Sequence, residues 1–116
     1  MMTNSYERLA NGIIEQAVKD YRRARKYLKK HPHTEELEAN VASQIAEKKR
    51  RREERAKLHL PPERVKRSKE ERLLDNIRSN ERTVADTEKF FLSDWFTDLT
   101  EINGKWLLER LKQEVG

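Results

Sequence analysis

The sequence predicts an all-α protein in which a long N-terminal helix packs on a C-terminal helical hook, with a protruding charged helical hairpin. Apolar residues recur at steps of three and four along much of the chain, which is the spacing of one helix face. β-Branched residues are scattered and never alternate with polar residues over four positions, so no strand is indicated. Only three glycines and three prolines occur in 116 residues, so little interrupts long helices.

The first helix is predicted from about residue 5 to residue 30. Asn4 and Glu7 have the spacing of a capping box. Pro32 disfavours a helical residue before it and so ends the helix. The predicted apolar stripe consists of Tyr6, Ala10, Ile13, Ala17, Tyr21, Ala24 and Leu28.

The hairpin is predicted over residues 34–87, with its tip at Pro61 and Pro62. Thr34 is a suitable N-cap for its first helix, whose short apolar stripe would be Leu37, Val41 and Ile45. Residues 47–57 are almost wholly charged and can be helical only with an exposed surface. The second helix is predicted to start at Ser68, which forms a capping box with Glu71.

The C-terminal hook is rich in aromatic residues, namely Phe90, Phe91, Trp95, Phe96 and Trp106. Each such side chain can bury roughly 150–250 Å², so most are expected to pack against the first helix as core. The alternative is that Trp95 or Trp106 is exposed and anchors a partner. Ser93 is a predicted cap, and the Asn-Gly pair at 103–104 is a turn signal.

These elements predict one helical domain over residues 1–116, with a scaffold formed by residues 5–33 and 88–116. The hairpin of residues 34–87 would then be free to contact a partner.

Positive charge is concentrated in two blocks. Residues 19–30 hold seven Lys and Arg residues and one Asp, and residues 47–72 hold twelve Lys and Arg residues and six Glu. Such arrays bind phosphate groups, although a solvated helix surface with intrahelical ion pairs is the alternative. The candidate nucleic-acid or partner-binding residues are Arg22, Arg23, Lys26, Lys30, Arg50, Arg51, Arg52, Arg64, Lys66 and Arg67.

Catalytic and metal-binding patterns are missing from the sequence. It has no cysteine, no P-loop, no GxSxG and no HExxH. His31, His33 and His59 have no companion ligands that would make a metal site. We therefore expect no enzyme activity, no cofactor and no metal, and we expect a location in the bacterial cytoplasm without membrane insertion.

Two patterns resemble a group of small helical proteins encoded by phages and prophages of Gram-positive bacteria. One is A-x-x-D-Y-R-x-A in the first helix, beginning at Ala17. The other is FF-x-S-x-WF-x-x-LT-x-x-x-G, from Phe90 to Gly104. The resemblance covers about half of the chain, and residues 40–87 look like an insertion relative to shorter members of the group.

This resemblance implies a binding protein of phage origin. The first hypothesis is an anti-CRISPR inhibitor that binds a host nuclease–guide RNA complex through its basic residues. Net positive charge argues against mimicry of DNA. The alternatives are a nucleic-acid-binding accessory protein in replication, packaging or transcription, and a structural helical interaction module, which could be a homo-oligomer.

Overall fold

The computed structural model describes residues 5–115, and within this range it contains five helices and no strand. The all-α prediction is confirmed. The predicted cap Asn4 lies outside the described residues. Between residues 5 and 115, no helix is both long enough and apolar enough to cross a membrane. The helices are α1 (Ser5–Lys30), α2 (Glu35–Lys57), α3 (Lys69–Phe91), α4 (Asp94–Leu99) and α5 (Gly104–Val115).

The chain forms two compact units. The core unit combines the N-terminal segment up to His31 with the chain from Ser79 onward, and the hairpin unit is Pro32–Arg78. Helix α3 contributes residues to both. Val84 packs against the hydrophobic cluster of the core unit, which is why this unit begins earlier along α3 than the scaffold boundary at residue 88 expected from the sequence.

The core unit is stabilised by buried rings between α1, the end of α3 and the two C-terminal helices. The ring of Phe91 contacts Tyr21 edge-on at 6.1 Å and Phe96 at 5.8 Å, measured between centroids. Edge-to-face pairs contribute about 0.5–1.5 kcal/mol beyond the burial of apolar area. The buried cluster consists of Ile14, Tyr21, Phe91, Phe96, Leu108 and Leu111.

Tyr21 is fully buried and its hydroxyl donates a hydrogen bond to Glu88 Oε1 at 3.1 Å. Burial is the main reason why the pKa of Tyr21 is raised to about 12, and the bond to Glu88 adds to the rise. The one polar atom of this large side chain is therefore satisfied inside the core.

Gly104, the first residue of α5, permits the close approach of α5 to α3. A Cβ atom at this position would lie 1.8 Å from the carbonyl oxygen of Phe91. Asn103 caps the helix, because its Oδ1 accepts a hydrogen bond from the backbone N–H of Trp106 at 3.1 Å. The Asn-Gly pair thus combines a cap with a residue that has no side chain to clash.

The predicted stripe of α1 is correct in part. Ala10, Tyr21 and Ala24 are buried, but Tyr6 is 58% exposed. Ile14 is buried where the prediction had Ile13. The buried line follows alternating steps of four and three from residue 10, and this line passes through residue 14.

The expectation that most aromatics are core holds for the phenylalanines and is wrong for both tryptophans. Trp95 is 55% exposed and Trp106 is 57% exposed. Helix α4 is a short element whose buried side is taken by Phe96, so the adjacent Trp95 faces outward. Its ring meets that of Phe90 edge-on, with 5.2 Å between the centroids. Trp106 lies under the guanidinium of Arg110 at 5.8 Å.

The hairpin unit consists of α2 antiparallel to the first part of α3. Arg78 contacts the Glu38 carboxylate at 2.8 Å near one end, and Lys48 contacts Glu71 at 2.5 Å toward the other. Its buried apolar residues are Val41, Leu74 and Ile77. The prediction that Ile45 belongs to the apolar stripe of this helix pair is wrong. Its side chain is 53% exposed, because it lies outside the narrow face that α3 covers.

Two of the predicted caps in this unit form. Thr34 Oγ1 accepts from the backbone N–H of Leu37 at 3.1 Å, and Ser68 Oγ accepts from that of Glu71 at 3.0 Å. The reciprocal half of the predicted capping box forms as well: the Glu71 carboxylate accepts a hydrogen bond from the backbone of Ser68, in addition to its contact with Lys48. Residues 60–68 have no regular secondary structure, so the second helix of the hairpin starts at Lys69.

Candidate nucleic-acid interface

A groove of about 800 Å³ lies in the hairpin unit between α2 and residues 62–68. We call it the cationic groove. The α2 residues on its wall recur at positions 43, 44, 47, 48, 51, 52 and 55, which is one face of a helix. The basic residues that line it are Lys48, Arg51, Arg52, Arg55 and Lys66.

The acidic residues of the cationic groove are fewer than the basic ones and all contact cations. They are Glu47, Glu63 and Glu71. Glu47 contacts Arg51 at 3.4 Å, and Glu63 contacts Arg55 at 3.3 Å. Five cations against three carboxylates leave the groove with an excess of positive charge.

Lys48, which is partly buried, and Glu71, which is buried, form the base of the groove. Glu71 is only 6% exposed, and its Oε1 lies 2.5 Å from Lys48 Nζ. The hydrogen bond from Lys48 is the main reason why the pKa of Glu71 is lowered. Lys48 also donates to the backbone oxygen of Lys66 at 3.4 Å, so it attaches the segment after the prolines to α2.

Arg55 shapes the same segment. Its Nε donates to the backbone oxygen of Pro61 at 2.9 Å, and its Nη1 contacts Glu63. Like Lys48, Arg55 therefore has a structural role in forming the wall of the groove.

Arg52 and Lys66 are the cations of the groove that remain available to a ligand. Both are exposed, and among residues 5–115 neither forms an ion pair. Arg52 lies on the wall formed by α2, and Lys66 lies on the opposite wall, formed by the extended residues 62–68. A single anionic chain in the groove could therefore contact both.

Three predicted residues of the hairpin unit lie outside the cationic groove. Arg50 contacts Glu47 at 2.6 Å and Glu54 at 2.9 Å along its own helix. Arg67 contacts Asp75 at 2.5 Å, and Arg64 is exposed.

The groove also contains two cations that the sequence analysis missed, Lys48 and Arg55. The helical spacing of Lys48, Arg52 and Arg55 predicts that they share one face of α2. The sequence does not predict that this face lines a groove, because the opposite wall depends on the extended course of residues 60–68.

The four predicted residues of α1 belong to the core unit. Arg22 forms a forked pair with Glu114 on α5, with Nε–Oε2 at 2.8 Å and Nη2–Oε1 at 3.0 Å. This contact lowers the pKa of Glu114. Arg23 contacts Asp20 at 2.8 Å, whereas Lys26 and Lys30 are exposed. Arg22 thus joins two helices, and Lys26 and Lys30 are the more available cations among these four residues.

No group of three or more His, Asp or Glu side chains within residues 5–115 is arranged to hold a metal ion. The chain was compared with protein-family models, curated proteins and solved structures, and none of the three comparisons found a match.

Proposed function

We propose that this chain is a non-catalytic binding protein that contacts the phosphate backbone of a nucleic acid through the cationic groove. The observation that carries the proposal is the pair Arg52 and Lys66, two exposed cations on opposite walls of a groove with excess positive charge. Guanidinium and ammonium groups bind phosphates and release counterions.

The ion pairs already present in the groove are compatible with this function. The side chain of Arg51 is 61% exposed and that of its partner Glu47 is 46% exposed. Exposed pairs contribute about 0–1 kcal/mol, so a phosphate can replace the carboxylate at little cost. The buried Lys48–Glu71 pair would stay in place and keep the walls fixed.

The narrower form of the proposal is an inhibitor of phage origin that binds a nuclease–guide RNA complex. It depends on the resemblance of residues 17–24 and 90–104 to small phage proteins. In this form the phosphates in the groove belong to guide RNA held by the nuclease.

Binding to single-stranded RNA and to duplex DNA as a function of salt tests the broader proposal. The double variant Arg52→Glu and Lys66→Glu should bind much more weakly than the parent. For single-stranded RNA, loss of two phosphate contacts should reduce the slope of log K against log salt by about 1.4. The matched control, Lys49→Glu with Lys57→Glu, makes the same charge change at exposed residues of α2 outside the groove.

Equal loss in both double variants would show a general charge effect and contradict the assignment of the groove. A nuclease–guide complex that binds far more tightly than the naked RNA would favour the inhibitor. Equally tight binding to naked nucleic acid would favour the accessory protein in replication, packaging or transcription.

A further inference from the structure

Besides the cationic groove of the hairpin unit, the structure has a groove in the core unit that the side chains of the core unit do not fill. This apolar groove has a volume of about 570 Å³ and lies between α1, the end of α3 and α4. Leu9 and Trp95, on its lining, are 63% and 55% exposed. The other apolar lining residues are Ile13, Ala17 and Phe90.

A glycine lies in the middle of the α1 wall. Glycine in a helix interior destabilises a helix relative to alanine, so its presence usually has a packing reason. A Cβ atom at Gly12 would meet nothing of this chain within 4 Å. The missing side chain therefore serves no contact within the described residues, and it leaves the backbone of α1 open to the close approach of another helix.

The charges at the two ends of the apolar groove have opposite signs. Hydrogen bonds between Tyr6 and Asp98 and between Tyr21 and Glu88 show that the C-terminal part of the core unit runs antiparallel to α1. Arg8 therefore lies at the Trp95 end, and Asp86 lies at the other end, beside Asp20. The Asp20 carboxylate already contacts Arg23 at 2.8 Å, so Asp86 supplies the negative charge of that end. Arg8 and Asp20 are separated by roughly 18 Å along the helix axis.

We propose that the apolar groove is the interface of a two-fold symmetric homodimer, in which α1 packs antiparallel against α1 of a second copy. The two-fold rotation brings Arg8 of each copy to the end that holds Asp86 of the other. It also places Gly12 near the centre of the contact, opposite Gln16, where two helix axes must come closest.

The charge arrangement favours a second copy over an unrelated partner. A surface that is positive at one end and negative at the other is complementary to itself after a two-fold rotation, and isologous dimers require this property. Leu9, Ile13 and Trp95 would then become buried in both copies at once. Association of apolar surface with matched charges at the rim is the usual composition of such interfaces.

Sedimentation across a wide range of protein concentrations tests the proposal, with charge reversal at the two ends. Arg8→Glu alone places two acids opposite each other, and Asp86→Arg alone places two cations opposite each other. Each single variant should weaken the dimer by about tenfold or more, because like charges face each other twice. The double variant should regain the affinity of the parent.

Mixing the two single variants gives a sharper result. Each should be a monomer when alone at concentrations where the parent is a dimer. A one-to-one mixture should form a heterodimer, because each end then joins opposite charges. Circular dichroism of all four proteins checks that helicity is unchanged.

Gly12→Leu should change the interface without changing the fold of the single chain. Its side chain meets open space in the single chain and leucine is a better helix former than glycine, so the variant should retain its helicity. The added side chain should block the approach of the second α1 and abolish the dimer. A parent that is monomeric at every concentration, a dimer insensitive to Gly12→Leu, or single variants that do not associate on mixing would each overturn the proposal.

Discussion

The core unit and the hairpin unit have the same secondary structure but are stabilised by different interactions. The core unit buries three aromatic rings and several aliphatic side chains between four helices. The hairpin unit buries three apolar side chains, together with Glu71 in contact with Lys48. Its two helices are also joined by the exposed ion pair of Arg78 with Glu38 and by a hydrogen bond from Gln44 to Glu70.

This difference shows in which part of a small protein a binding surface can arise. A unit stabilised by burial has its positions fixed by packing, and each change in volume is felt. A unit stabilised at its caps and by a few ion pairs leaves most of its surface free of structural demands. The cationic groove lies in the second kind of unit, where Arg52 and Lys66 can change without loss of the fold.

The largest expected effect is the loss of a core ring. Phe91→Ala should lower the free energy of unfolding by about 3–5 kcal/mol, because the ring is fully buried and a cavity remains. Trp95→Ala removes a larger ring that is half exposed, and should lower it by only about 1 kcal/mol. Chemical denaturation measures both. Similar losses in the two variants would mean that the exposed fraction of a ring does not determine how much it contributes to the free energy of unfolding.

Gly104→Ala should have the next largest effect. The new methyl group would overlap the carbonyl of Phe91, so α5 must shift, and we expect a loss of about 1–3 kcal/mol. Gly12→Ala is the matched control in dilute solution. It should raise stability by about 0.5–1 kcal/mol, since it meets open space in a helix interior. A neutral Gly104→Ala would contradict the close contact of α5 with α3.

Acid should destabilise the hairpin unit through Glu71. The pKa of Glu71 is lowered in the folded state, mainly by the hydrogen bond from Lys48. Its contribution is therefore present above the unfolded pKa, about 4.3, and is lost as pH falls through the folded value. In Glu71→Gln the stability should be lower at neutral pH and should converge with the parent in acid. Denaturation midpoints against pH measure this.

Glu53→Gln is the control for that experiment, because Glu53 is an exposed residue of α2. Its curve should run parallel to that of the parent. If Glu71→Gln also ran parallel to the parent, the Lys48–Glu71 contact would not stabilise the folded state.

The smallest expected effect is at the end of α2. His59 has a φ of 56°, and the hydrogen bonds from Leu60 N–H to Arg55 oxygen and from His59 N–H to Ala56 oxygen form a Schellman motif. Glycine adopts this conformation without strain. His59→Gly should therefore raise stability by up to about 1 kcal/mol, visible as a higher denaturation midpoint. A lower midpoint would show that the imidazole makes a contact that stabilises the turn.

The local signals in the sequence were sufficient for the helices and several caps. Periodicity identified most of the buried face of α1, and the side chains of Thr34, Ser68 and Ser93 accept the hydrogen bonds that their positions predicted. Trp95 was beyond the reach of periodicity, because a six-residue helix shows no repeat that distinguishes its two faces.

The candidate site was only partly predictable. Arg51, Arg52 and Lys66 were identified by charge alone, and they do line one groove. Arg22 and Arg67 were chosen by the same criterion, yet their guanidinium groups contact Glu114 and Asp75. Sequence gives the density of charge along the chain, whereas the availability of each cation depends on which carboxylate the fold brings near it.

Native-state hydrogen exchange with and without an RNA oligonucleotide tests directly whether burial fixes the core unit while the hairpin unit binds RNA. Amides around Tyr21, Phe91 and Leu111 should exchange only by global unfolding and should not respond to RNA, because they are fixed by burial. Amides in the second half of α2 should exchange by local opening and slow when RNA occupies the cationic groove. Equal protection in the two units, or slowing confined to the core unit, would contradict the account.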